Sequence, residues 1–243
     1  MIVLMTDFGE SEYVGMMKGV IHSIHPDVVV TDLTHQIPPQ SIREGAWVLL
    51  TSYRYFPKKS TFVAVVDPGV GTERDAILVI TNDYAFIGPD NGLLYPAAHA
   101  DGLKEVLTIE MGTPESTTFH GRDVFARFAA YHAKGSASDY LSSPRSDMSV
   151  KLEFYLEGRT GEVVRHDRFG NLITNLPPLK KTRYTLVHGS VTRKLDWYKT
   201  YGVGPTDDVF LVTSSAKTLE LCMRDGSAAD ILDIRVGDRI TIE

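Results

Sequence analysis

The stretch Val63-Ala64-Val65-Val66-Asp67-Pro68-Gly69-Val70-Gly71-Thr72-Glu73-Arg74 constrains the fold more than any other. Its short, β-branched apolar run has the form of a strand buried on both faces, as in the interior of a parallel sheet. The run ends at a carboxylate, which puts Asp67 at a strand C-terminus, the edge at which open α/β sheets bind ligands. Proline fixes φ after that residue, and the two glycines permit backbone shapes and close approaches that side chains forbid. Arg74 is near enough in sequence to fold back toward Asp67. On this stretch alone a plain strand, turn and surface ion pair remains an open reading.

The N-terminus repeats the pattern. Ile2 to Met5 form an apolar strand ending at Thr6-Asp7-Phe8-Gly9, and Tyr13 to Ile24 carry apolar residues at helical spacing. Asp7 thus shares a station with Asp67, and both acids are expected on one edge of one sheet. Val28 to Leu33 read as the second strand. Ile42 to Tyr53 read as the second helix, after a Pro38-Pro39 loop. Asn82-Asp83 joins Ala76–Thr81 to Tyr84–Ile87 as a hairpin, so the sheet is expected to be mixed. Pro89-Asp90-Asn91-Gly92 precedes a Leu93–His99 helix, with Asp90 and Asn91 as candidate N-caps. Val106 to Ile109 follow as a strand, and Thr118-Phe119-His120-Gly121-Arg122-Asp123 leads into a further helix.

Gly135 to Pro144 are small, polar and irregular, and from Gly161 onward short strands recur at close spacing with Gly and Asp turns. The expected architecture is an α/β N-terminal domain over 1–150 with a central mixed, mostly parallel sheet. A connection over 151–160 leads to a smaller all-β, barrel-like domain over 161–243.

The chain's 243 residues suffice for a sizeable core, and 43% hydrophobic and 23% charged residues are ordinary for a globular protein. A formal charge of -6 without a basic patch argues against nucleic-acid or membrane-surface partners. One cysteine, Cys222, excludes an internal disulfide and a Cys-based zinc site. No leader or spanning segment is read at the N-terminus, so the expected compartment is cytoplasmic.

An Asp, an Arg and a His meeting in one pocket would suit the holding of a water, with the acid orienting the imidazole or taking the proton. A metal reading, with Asp7, Asp67, His120 and Asp123 around a divalent cation, is set against it. No His-x-x-x-His or Asp-x-Asp pattern supports the metal, so none is expected, and no cofactor is expected either.

Together, Thr6-Asp7-Phe8-Gly9, Asp67-Pro68-Gly69-Val70-Gly71 with Arg74, Pro89-Asp90-Asn91-Gly92-Leu93-Leu94, Thr118 to Asp123, and Arg168-Phe169-Gly170-Asn171-Leu172-Ile173-Thr174-Asn175 resemble the S-adenosyl-L-methionine hydrolases. These are also called SAM hydroxide adenosyltransferases and are relatives of the SAM-dependent fluorinase and chlorinase. The resemblance implies hydrolysis at C5′ to adenosine and L-methionine, with Asp67, Arg74 and His120 holding the attacking water. It implies that Asp7, beside Phe8, grips the ribose hydroxyls, and that Asn171 and Asp167 bind the amino-acid end. Phe169, Ile173 and Tyr201 are implied as apolar walls, and Ser214, Ser215, Ser227 and Ala228 as contacts to the methionine carboxylate and adenine edge. A homotrimer with sites between subunits is implied as well. The alternatives are a SAM- or adenosine-binding module without turnover, and a halogenase. The sequence departs from the family pattern at Thr213-Ser214-Ser215-Ala216-Lys217 and at Arg127.

Overall fold

A computed structural model describes residues 1–142 and 144–243 and divides the chain into two compact units, Met1–Glu153 and Phe154–Glu243. Ser143, in the irregular 135–144 stretch, lies outside the described residues.

The first unit begins with β1 (Ile2–Thr6), α1 (Glu12–Ile24), β2 (Val30–Thr34), α2 (Ile42–Ser52) and β3 (Thr61–Val65). It continues with β4 (Ala76–Ile80), β5 (Ala85–Pro89), α3 (Tyr95–Ala100) and β6 (Glu105–Thr108), and closes with α4 (Arg127–Lys134). The strands form one sheet in the order β2-β1-β3-β5-β4-β6. β2, β1, β3 and β5 are mutually parallel, whereas β4 runs antiparallel to both β5 and β6. The mixed, mostly parallel sheet expected from the hairpin is therefore present. β2 starts at Val30 rather than Val28: the Val28 amide donates to the His25 carbonyl in the turn out of α1, and the Val29 carbonyl accepts from Ile2 at the start of β1.

α1 turns Val14, Met17 and Ile21 inward, and Met17 and Ile21 join Ile2, Leu4, Val63 and Val65 of the sheet and Phe128 and Ala129 of α4 in one core. α2 packs with α3. β3 is buried throughout, as its apolar run requires.

The first crossover carries the chain from β1 to β2 on one side, and the second brings it back past β1 to β3. β1 and β3 are thus neighbours whose connections diverge, with Thr6 level with Val65. Asp7 and Asp67 leave adjacent strands at this topological switch point, where an open α/β sheet leaves a crevice.

Asp90 and Asn91 do not cap α3, whose N-cap is Leu94 and carries no side-chain cap bond. Asn91 instead donates to the Val66 carbonyl at 2.8 Å and so fixes the end of β3. Buried Asp90 accepts from Arg145 and from the Ser149 and Val150 amides. A backbone carbonyl for Asn91, and a guanidinium with two backbone amides for Asp90, outcompete the helix terminus for these side chains.

The second unit contains β7 (Thr160–His166), β8 (Leu172–Thr174), β9 (Arg183–His188), β10 (Val191–Asp196), β11 (Val209–Thr213), β12 (Leu219–Met223), α5 (Ala228–Leu232) and β13 (Arg239–Ile242). All its strand pairs are antiparallel, in the order β10-β9-β13-β7-β8-β12-β11, and the sheet curls around a core of Val163, Leu172, Tyr184, Leu186, Leu211, Leu221 and Ile240. It is the nearly closed, barrel-like domain expected from the recurring short strands. Residues 154–159 pack on this unit: the Tyr155 carbonyl accepts from Asn175, and Arg159 donates to the Ile242 and Pro177 carbonyls.

Gly88 on β5 marks the tightest passage beside β3, since a Cβ there would lie 2.4 Å from the Ala64 carbonyl oxygen. A backbone carbonyl in a sheet cannot swing aside. Gly88→Ala is expected to cost about 3 kcal/mol, read as a lower denaturant midpoint; an unchanged midpoint would contradict this packing.

Candidate functional site

The loop after β3 doubles back. Val70 N–H donates to the Asp67 carbonyl at 3.2 Å, and Thr72 donates to the Gly69 carbonyl through both its amide and its hydroxyl. Gly71 has φ +79°, and a Cβ there would meet the Thr117 carbonyl at 2.7 Å, so only glycine passes. The result returns Arg74 to Asp67. Arg74 Nε lies 3.0 and 3.1 Å from the two carboxylate oxygens, and Nη2 also donates to Oδ2. The pair is buried, with Asp67 at 5% and Arg74 at 12% side-chain exposure. The surface-pair reading is therefore excluded by burial.

Arg74 Nη2 also lies 2.8 Å from His120 Nδ1. A guanidinium has no lone pair to offer, so Nδ1 must accept, and the imidazole proton resides on Nε2. Burial, and then the charge of Arg74, hold the His120 pKa below its ordinary value; Asp67 and Asp123 oppose this without reversing it. The Phe125 ring lies under the Arg74 guanidinium at 5.3 Å and completes its seat.

His120 precedes a π-helical turn, Gly121–Ala126, that opens α4. Gly121 lets aromatic rings close in, since a Cβ there would lie 3.2 Å from both Phe8 and Phe119. Phe8, Tyr13 and Phe119 make mutual edge-on contacts with centroids 5.0–6.0 Å apart. Asp123 accepts from Arg122 and from the Ser116 amide. Burial alone would raise its pKa, but these two partners lower it overall. It serves the turn and not a shared cation site.

Asp7, Phe8, Tyr13, Gln40, Asp67, Thr118, Phe119 and His120 line one cavity of about 550 Å³. Asp7 Oδ2 accepts the Gln40 amide at 2.8 Å, and Gln40 holds φ +63°, a left-handed conformation uncommon for this residue type. Gln40 and Tyr13 were not legible as site residues. For Gln40 the only signal was its place just after Pro38-Pro39. Thr6 holds the loop from behind: its hydroxyl meets His35 Nδ1 at 2.9 Å and accepts from the Phe8 amide at 3.1 Å.

A second cavity, of about 650 Å³, lies in the second unit and is lined by Asp167, Phe169, Asn171, Tyr201, Gly202, Met223, Arg224, Asp225 and Gly226. Asp167 Oδ1 accepts the Phe169 and Asn171 amides at 2.8 and 2.9 Å, and Oδ2 accepts Asn171 Nδ2 at 3.0 Å. Gly170, at φ +85°, is pressed on Ser227, where a Cβ would lie 2.6 Å away. Ser227 caps α5 by accepting the Asp230 amide, and Ala228 is buried in the core. Ser214 is engaged within its own turn with Ala216 and Thr218. Ile173, Ser214, Ser215, Ser227 and Ala228 line neither cavity.

Among the described residues no group of three or more His, Cys, Asp or Glu is arranged to hold a metal ion. No helix among them is long and apolar enough to cross a membrane.

Residues 2–142 match the family model of the SAM hydroxide adenosyltransferase N-terminal domain, and residues 161–241 that of the C-terminal domain. Curated relatives named (R)-S-adenosyl-L-methionine hydrolase include one from Thermus thermophilus, 34% identical with 97% of this chain and 96% of the relative covered. Another, from Methanocaldococcus jannaschii, is 42% identical over 72% of this chain and 66% of its own length. A Nocardia brasiliensis protein named fluorinase is 27% identical over 80% of this chain and 73% of its own. A crystal structure of an uncharacterized conserved protein from Thermotoga maritima superposes with a TM-score of 0.87 at 34% identity, both chains being covered in full. With both domains matched in order, the chain belongs to the SAM hydroxide adenosyltransferase family.

Proposed function

We propose that this protein hydrolyses S-adenosyl-L-methionine at the ribose C5′ to adenosine and L-methionine. The observation that carries this reading is the buried Asp67–Arg74–His120 set at the wall of the cavity that also holds Asp7. Relatives bearing the hydrolase name along nearly the full chain support it.

The sulfonium is a leaving group that departs as a neutral thioether, so no general acid is needed. What the site must supply is a positioned water. With Nδ1 committed to Arg74, the His120 imidazole has only a donor, Nε2–H, left to offer, which suits the water's oxygen and not its proton. The Asp67 carboxylate keeps lone pairs beyond those Arg74 occupies and is the acceptor for the water's hydrogen. The oxygen attacks C5′ in line, the C5′–S bond breaks with its electron pair going to sulfur, and the water proton passes to Asp67 and then to solvent. Asp7, steadied by the Gln40 amide, takes the ribose hydroxyls. Asp167, Asn171, Phe169 and Tyr201 take the remaining parts of the substrate, in a homotrimer where the second unit comes from a neighbouring subunit. A carboxylate at the attacking position repels halide, which disfavours the fluorinase chemistry named for the more distant relatives.

Incubation with the substrate in chloride-free buffer containing a chelator should yield adenosine and methionine in equal amounts, with oxygen-18 from labelled water in the 5′-hydroxyl. Substrate retained unconverted would instead indicate a binding module. Asp67→Asn is expected to lower kcat at least about a hundredfold, and full turnover in that variant would remove Asp67 from the mechanism.

The lowered His120 pKa fixes the sign of the acid response. Above the unfolded-state value of about 6.5 the imidazole is neutral in both states; as pH falls below it, the unfolded chain takes the proton first and the contribution to stability is lost. Activity should stay level from pH 8 to about 6.5 and decline only below. In Arg74→Met, the His120 ring resonances should titrate at higher pH than in the wild type, since both the repelling charge and the Nδ1 donor are gone. An unchanged or lower midpoint would refute the part assigned to Arg74 in disfavouring the protonated ring.

A further inference from the structure

Glu220 is a buried acid that the chemistry above leaves unused. On β12 its neighbours Leu219 and Leu221 face the barrel core, while Glu220 shares the opposite face with Cys222 and lies across from Val212 and Ile173. It is 4% exposed and has no ion-pair partner among the described residues. Burial raises its pKa, and the charge of Asp167 adds to this, against the opposing hydrogen bond from Tyr201. Keeping an acid with no cationic partner in such a place is unfavourable, so its retention calls for a role.

Its partner defines that role. The Tyr201 hydroxyl donates to Glu220 Oε1 at 2.7 Å, and Tyr201 lines the second cavity. A phenol has one proton, so with that proton directed at Glu220 the oxygen turns only lone pairs elsewhere. Further acceptors stand beside it: the Asp167 carboxylate, and Asn171 Oδ1, whose amide gives one of its two N–H groups to Asp167. Arg224, a donor on this wall, is turned to the Gly202 carbonyl and to Asp225.

We propose that Glu220 is a positioning residue that sets the specificity of this cavity: by taking the Tyr201 proton it makes the wall an acceptor surface for an N–H-bearing group of the ligand. The inference rests on the hydrolase reading for the ligand's identity. There two groups have this chemistry, the α-ammonium of the methionyl part and the 6-amino group of the base.

Glu220→Met keeps the volume, removes the acceptor, and relieves a buried charge, so the variant should fold at least as well as the wild type. Its Tyr201 proton is released toward the cavity. KM for S-adenosyl-L-methionine should rise about tenfold, with kcat changing less. In a Tyr201→Phe background the same substitution should add nothing, because Glu220 acts only through that hydroxyl. Calorimetric titration with adenosine and, separately, L-methionine distinguishes the sources, since the product whose affinity falls carries the donor that the wall reads. Affinities for both products unchanged in Glu220→Met, or its full effect persisting beside Tyr201→Phe, would overturn the proposal. Wild-type protein that binds the products with this Glu220 dependence but turns over no substrate would overturn the hydrolase reading alone.

Discussion

The first unit depends on the buried ion pair between Asp67 and Arg74. Removing either partner from a pair buried this deeply leaves an uncompensated charge, a loss of about 3–5 kcal/mol. The pair exists only because the Pro68-Gly69-Val70-Gly71 loop reverses the chain within the few residues between them. That loop in turn needs Gly71 where the Thr117 carbonyl approaches. Asn91 holds the end of the strand from the other side, through the Val66 carbonyl. The carboxylate is thus fixed at the switch point by backbone bonds, an arginine and a neighbouring loop together, so that little reorganisation remains when a substrate arrives.

Arg74 couples this pair to His120 and decides what the histidine can do. The guanidinium between the acid and the imidazole offsets the charge of the first, and burial foremost, with the guanidinium second, disfavours protonation of the imidazole. The arrangement differs from an acid–histidine relay, where the carboxylate accepts from the ring and readies it as a base. Here the arginine stands between them, the acid remains the free acceptor, and the imidazole is left with a donor. Two side chains that resemble a relay by type are separated in role by the cation they share.

Much of the fold was legible because strong local signals agreed with tertiary demands. The buried run before Asp67, the strand before Asp7 and the Asn82-Asp83 hairpin each became the expected element, and the mixed sheet followed. The return of Arg74 to Asp67 was legible from spacing and glycines. What composition could not convey was burial, which turns a surface-type pair into a structural centre. Asp90 and Asn91 were misread as caps because their true partners, Arg145 and the Val66 carbonyl, are remote in sequence. Gln40 was invisible for a similar reason, since its contribution is a backbone amide in a left-handed conformation and not its side chain. Tyr201 was read as an apolar wall, yet its hydroxyl is committed to an acid nineteen residues away.

The substrate's charge sets a limit on how such a site accelerates its reaction. A sulfonium is cationic before the reaction, and that charge is dispersed as the C5′–S bond breaks, so nearby carboxylates and aromatic faces favour the ground state at least as much as the transition state. Interactions of that kind lower KM without raising kcat. Acceleration must then come from terms that differ between the two states: the alignment of the water with the breaking bond, and the proton acceptor that strengthens as its O–H weakens. Asp67 qualifies on both counts because Arg74 offsets its negative charge while leaving lone pairs free. An unpaired acid in the same place would bind the cation more tightly and gain nothing in rate, which, on the proposed mechanism, gives a physical reason for an arginine buried beside the carboxylate assigned as proton acceptor.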